Sequence, residues 1–182
     1  MNRPVQHLVL MGVAGSGKTT AATNLHRALG WPTAEADDFH PRANIAKMSR
    51  GEPLTDADRL PWLEALRDWM SAQAAAGNRT IVTCSALKRV YRDLLSQADG
   101  RVFFIHLDAD QHELRGRMER REGHFMPVSL LPSQFGVLET LAADEDGVTV
   151  NSRATPAGTL EAILASLRAA EPTRWDSFPG KP

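Results

Sequence analysis

Gly12-Val13-Ala14-Gly15-Ser16-Gly17-Lys18-Thr19 fills the pattern G-x-x-x-x-G-K-[ST] at every fixed position. Glycines let consecutive backbone N–H groups converge on one anion, and a helix starting near Lys18 turns its positive end to the same point. Lys18 adds a cation for the outer phosphates, and the Thr19 hydroxyl is a ligand type for Mg²⁺, with Thr20 beside it. The alternative is a glycine turn that happens to hold a lysine. An apolar strand before the motif and a periodic helix after it argue against that, so nucleoside triphosphate binding is expected.

A second group lies at Glu35-Ala36-Asp37-Asp38-Phe39-His40-Pro41. If a strand ends here, its carboxylates stand at the carboxyl edge of the sheet, where open α/β folds bind ligands. A neutral hydroxyl is a poor nucleophile, and a carboxylate can orient it and accept its proton. A nucleoside monophosphate would be repelled by the same group, so Asp37 and Asp38 favour an alcohol as phosphoryl acceptor. The competing reading has Asp38 capping the following turn and Asp37 holding a water or Mg²⁺. His40 either bonds a substrate or anchors the turn at Pro41.

Arg42, Lys47, Arg59, Lys88 and Arg92 follow the second and third strands, so several can converge on an acidic substrate at that edge. Arginine grips a carboxylate bidentately, whereas lysine acts as a point charge. Each of them could equally sit on a solvated helix face. Ser85 ends the third strand, in place to hold a water on Mg²⁺ where many phosphate-loop proteins carry aspartate. Cys84 is expected to be a small buried residue and not a nucleophile, since no histidine is near it in sequence. No guanine-reading N-K-x-D segment occurs.

The elements that must position these residues are strands Val5–Met11, Thr33–Ala36, Ile81–Cys84, Val102–Leu107 and Val148–Val150. They alternate with helices 18–29, 58–76, 87–98, 111–121 and 156–169, with Pro61 placed in the first turn of the second. That order predicts a parallel sheet covered on both faces. The 182 residues suit one domain, 1–182, with an irregular tail over 171–182. Lys+Arg 21 against Asp+Glu 22 gives net charge −1, which argues against broad nucleic-acid or anionic-membrane binding. One cysteine excludes an internal disulfide, and the apolar run 8–14 is too short to span a bilayer, so a cytoplasmic protein is expected.

The blocks His40-Pro41-Arg42-x-Asn44-Ile45-x-Lys47-Met48 and Gly51-Glu52-Pro53-Leu54-x-Asp56-x-Asp58-Arg59-x-Pro61-Trp62-Leu63 resemble the bacterial gluconokinase pattern. So do Cys84-Ser85-Ala86-Leu87-Lys88 with Tyr91-Arg92-Asp93, and Arg121-Glu122-Gly123-His124-Phe125 with Ser133-Gln134-Phe135. The likeness runs to about Val150. It implies a P-loop NTPase of the nucleoside-monophosphate-kinase type, about five parallel strands with a helical lid. It also implies ATP, Mg²⁺, transfer to the 6-hydroxyl of D-gluconate, and often a homodimer. Asp37 is the base candidate it favours.

The lid would lie around 115–128. Arg117, Arg121 and His124 share a helical face there and could close over ATP, neutralising charge and excluding water. Arg153, after the last strand, would border the adenine. A kinase of another hydroxy acid such as shikimate, or a nucleotide-gated binding protein, are the other readings.

Overall fold

Strand β1 (Val5–Met11) is apolar at almost every position because it is covered on both faces at the centre of a parallel sheet. Beside it run β2 (Thr33–Glu35), β3 (Thr80–Thr83), β4 (Arg101–Asp108) and β5 (Gly147–Asn151), in the order β2-β3-β1-β4-β5. All four pairings are parallel. The computed structural model describes residues 4–110, 112, 114–116, 131–152 and 155–170.

The helices, in chain order, are α1 (Lys18–Leu29), α2 (Arg42–Ser49), α3 (Asp56–Ala75), α4 (Arg89–Leu95), α5 (Leu131–Val137) and α6 (Pro156–Ala170). One sheet face presents Leu8, Leu10 and Ile105 to Leu25 of α1 and Ile163 and Leu167 of α6. The other presents Val9, Met11, Val82 and Phe104 to Trp62, Leu66 and Met70 of α3 and Tyr91 and Leu95 of α4. This is the alternating consequence of a two-residue strand period. The five parallel strands with helices on both faces are those the sequence resemblance implies.

Several boundaries differ from expectation for local reasons. Strand β2 stops at Glu35, and residues Ala36–Phe39 turn into one 3-10 helix, which lifts Asp37 off the sheet edge. Helix α3 starts at Asp56 because Thr55 and Asp58 form a reciprocal capping box. Pro61 is therefore the sixth residue of the helix and lies past its first turn, leaving the Ala57 carbonyl without its intrahelical donor. Helix α4 begins only at Arg89, since the buried turn before it holds Ala86 at a positive φ of 41°. Helices α2 and α5 carry too short an apolar pattern to announce themselves: only Asn44 and Met48 of α2 are buried. Residues 112 and 114–116 are helical; most of the expected lid and the whole tail 171–182 lie outside the described residues. No helix among the described residues is long and apolar enough to cross a membrane.

Candidate active site

The phosphate loop leaves β1 between the ends of β3 and β4. The Gly12 N–H donates to the Ser85 carbonyl at 3.2 Å, and a Cβ on Gly12 would come within 2.8 Å of the Leu107 carbonyl oxygen. With φ of 137° at Gly12, 78° at Gly15 and 94° at Gly17, only glycine fits these turns without strain. Val13 is buried with Leu87, Leu114 and Leu131 beneath the loop. Ser16 is buried too, and its carbonyl accepts the Ser152 hydroxyl at 3.1 Å, tying the loop to the end of β5. Lys18 Nζ donates to the carbonyls of Gly12 (3.0 Å) and Val13 (2.9 Å), so the ammonium curls over the loop it serves.

Ala14, Gly15, Gly17, Lys18, Thr19 and Thr20 form one wall of an open cleft of about 1010 Å³, counting the part that merges with solvent. Glu35, Asp37, His40, Thr83 and Ser85 line the same cleft. Asp37 thus stands in the same cavity as Lys18, half-exposed, with its Oδ1 3.9 Å from His40 Nε2. The His40 ring lies stacked on Trp62, centroids 4.0 Å apart. Burial, assisted by the charge of Arg59, pulls the His40 pKa down to about 4, so the ring is neutral at pH 7. Trp62 in turn donates its Nε1–H to the Ala36 carbonyl at 2.6 Å, pinning the 3-10 turn to α3.

Glu35 received no role from the sequence, yet its carboxylate accepts the hydroxyls of Thr19 (3.3 Å) and Thr83. The oxygens of Thr19, Glu35 and Ser85 border one side of the cleft. They are hard oxygen donors of the kind Mg²⁺ takes, and few enough that phosphate oxygens and waters would complete the shell. Among the described residues no cluster of three His, Cys, Asp or Glu could hold a metal ion. Gln134 of α5 was also unassigned; its Oε1 accepts the Ala14 N–H at 2.7 Å and its side chain lines the cleft with Ser133. The Ser133-Gln134 block was the only sequence signal for it.

The five basic candidates separate. Arg59 lines the cleft, its guanidinium 5.5 Å over the Tyr91 ring, with no hydrogen bond or ion pair to any described residue. Lys47 pairs with Asp58 at 2.6 Å and Lys88 with Asp56 at 2.8 Å, and neither reaches the cleft wall. The Lys47 ammonium, with Thr55, holds the Asp58 carboxyl well below its usual range. Arg42 is exposed on α2 and does not line the cleft.

Arg92 must be reassigned from substrate ligand to structural support. It is 1% exposed, paired with Glu145 at 2.5 Å, and donates to the carbonyls of Ala86, Leu87 and Glu139. It therefore holds the turn that carries Ser85. Cys84 is buried, as expected, and burial pushes its thiol up to about 12, far from nucleophilic use. Arg117, Arg121, His124 and Arg153 lie outside the described residues.

A protein-family model described as an AAA domain matches residues 8–133. Gluconokinase of Gluconobacter oxydans (strain 621H) is 50% identical over 162 residues, 89% of this chain and 91% of that protein. The crystal structure of an unliganded sugar kinase from Janibacter sp. HTCC2649 is 51% identical, with a TM-score of 0.86 over 93% of this chain and 98% of the other. A gluconokinase structure from Sinorhizobium meliloti 1021 is 40% identical, with a TM-score of 0.83 over 97% and 99%. Identity of this order extends over most of both chains, and the chain belongs to the gluconokinase family of P-loop kinases.

Proposed function

We propose that this protein phosphorylates D-gluconate at its 6-hydroxyl, using ATP and yielding 6-phospho-D-gluconate. The observation that carries this reading is one cleft lined by the phosphate loop and Lys18 together with Asp37 and Arg59. A sugar acid needs a cation for its carboxylate, and Arg59 is the cleft-lining arginine not committed to a described carboxylate. Arg59 would hold that end bidentately while Asp37 takes a hydrogen bond from the attacking hydroxyl and receives its proton as the O–P bond forms.

The N–H groups of the loop and Lys18 bind the phosphates and stabilise the charge spreading over the transferred group. Thr19, with Glu35 and Ser85 near it, would hold Mg²⁺, whose contribution is to neutralise β- and γ-phosphate charge. Arg117 and Arg121 would add positive charge from the lid segment and His124 a substrate contact, with Arg153 at the adenine.

The test is ADP release with gluconate, with shikimate and without acceptor. Gluconate-dependent release that falls at least about 10²-fold in Asp37→Asn, with ATP affinity kept, is the expected result. Release that needs no acceptor, or shikimate alone, would reject the reading.

A further inference from the structure

The buried Asn44 of α2 has no counterpart in the chemistry derived above, yet it sits directly behind His40. Its Nδ2 donates to the Asp58 carbonyl at 2.8 Å and lies 3.4 Å from His40 Nδ1. The amide cannot be turned over, because its oxygen would then meet the Asp58 carbonyl oxygen at hydrogen-bond distance with no proton between them. Both amide protons are thereby assigned, one to Asp58 and one to His40, so Nδ1 of the imidazole must be the acceptor.

A neutral imidazole that accepts at Nδ1 carries its proton on Nε2. Nε2 is the atom 3.9 Å from Asp37 Oδ1, too far for a direct bond, with both residues on the cleft wall. A donor and an acceptor at that separation suit one inserted hydroxyl. Bonds of about 2.8 Å to each would meet at its oxygen at about 90°. The hydroxyl gives its proton toward Asp37, accepts from His40, and has one lone pair left for phosphorus. A phosphate acceptor has no proton to give at neutral pH and would be repelled.

We propose that Asn44 is a positioning residue that fixes His40 as the Nε2–H tautomer, so that His40 and Asp37 together clasp the attacking hydroxyl of the substrate. The ring's stacking on Trp62 fixes its plane, and its low basicity keeps it from becoming a double donor that would oppose the Asn44 amide. The inference rests on the functional reading above for which hydroxyl is clasped, but the tautomer stands or falls separately.

The experiment is long-range ¹⁵N–¹H NMR of the full chain labelled at histidine, together with kinetics of Asn44→Asp. In the wild type at pH 7, His40 is expected as a neutral Nε2–H ring. An aspartate at 44 can only accept, which draws the proton to Nδ1. That variant should show the Nδ1–H signature and lose at least about tenfold in kcat/KM for gluconate, with KM for ATP unchanged. A wild-type ring protonated on Nδ1, or on both nitrogens, overturns the proposal, as does an Nδ1–H variant with undiminished kcat/KM. Should the variant not fold, the wild-type spectrum decides alone. Absence of gluconate turnover in the wild type would sink the functional reading while leaving the spectrum to judge the tautomer.

Discussion

Arg59 and Lys88 show how little a residue type says until its partners are known. Both belong to motif blocks and both lie near the Tyr91 ring, at 5.5 and 5.7 Å from its centroid. Lys88 is held by Asp56, whereas Arg59 faces the cleft over an aromatic platform. Charged hydrogen bonds are worth about 1.5–3 kcal/mol, so Arg59→Ala should raise KM for gluconate roughly 10- to 100-fold. KM for ATP should stay near its wild-type value, and steady-state kinetics with each substrate varied will show the split. Lys88→Ala, tested in parallel, should leave KM for gluconate within a few-fold of wild type.

At the level of elements, the turn between β3 and α4 is braced by a buried arginine. It contains the positive φ of Ala86, and Arg92 from the next helix satisfies its carbonyls while pairing with Glu145 before β5. Arg92→Met leaves the buried Glu145 carboxylate without its cation, with only the Ala142 N–H to bond it, which should cost about 3 kcal/mol. Thermal unfolding should fall by roughly 10 °C. Substrate KM values of the protein that remains folded should change little, which separates a structural arginine from a substrate ligand. The capping box of α3 is a smaller device of the same kind: Thr55→Ala should cost about 1 kcal/mol in chemical denaturation.

At the scale of the whole molecule, the histidines through which pH acts, among the described residues, are His7, His40 and His106. Burial lowers the pKa of His7, His40 and His106 below the ordinary 6.5. The unfolded chain therefore takes up protons first as pH falls below 6.5, and stability rises with pH in that window. Each ring contributes a slope of at most about 1.4 kcal/mol per pH unit until its folded pKa is reached. Calorimetry should accordingly show Tm constant from pH 8 to 7 and falling steadily from 6.5 to 5. The Glu145 carboxyl, lowered chiefly by its hydrogen bond to Arg92, acts in the same sense at lower pH. Its contribution is complete above the ordinary 4.5 and is lost as pH falls through the folded value. In His7→Gln the slope between pH 6.5 and 5 should be smaller.

The phosphate-loop pattern and the strand alternation were legible in the chain because each depends on near neighbours. Glycines must adopt their φ locally, a buried parallel strand must be largely apolar, and a helix must start where a loop ends. Glu35 escaped notice because its significance comes from hydroxyls at Thr19 and Thr83, 16 and 48 residues away. Arg92 read as a ligand because nothing near it in sequence shows that Glu145 lies 53 residues downstream.

Sequence alone therefore determined the chemistry that one turn can perform, together with the family whose spacing it follows. Only the tertiary structure decided which charges were spent on each other. Coulomb energy and desolvation depend on distances through space, and those are set by the packing of helices whose order along the chain does not reveal who faces whom.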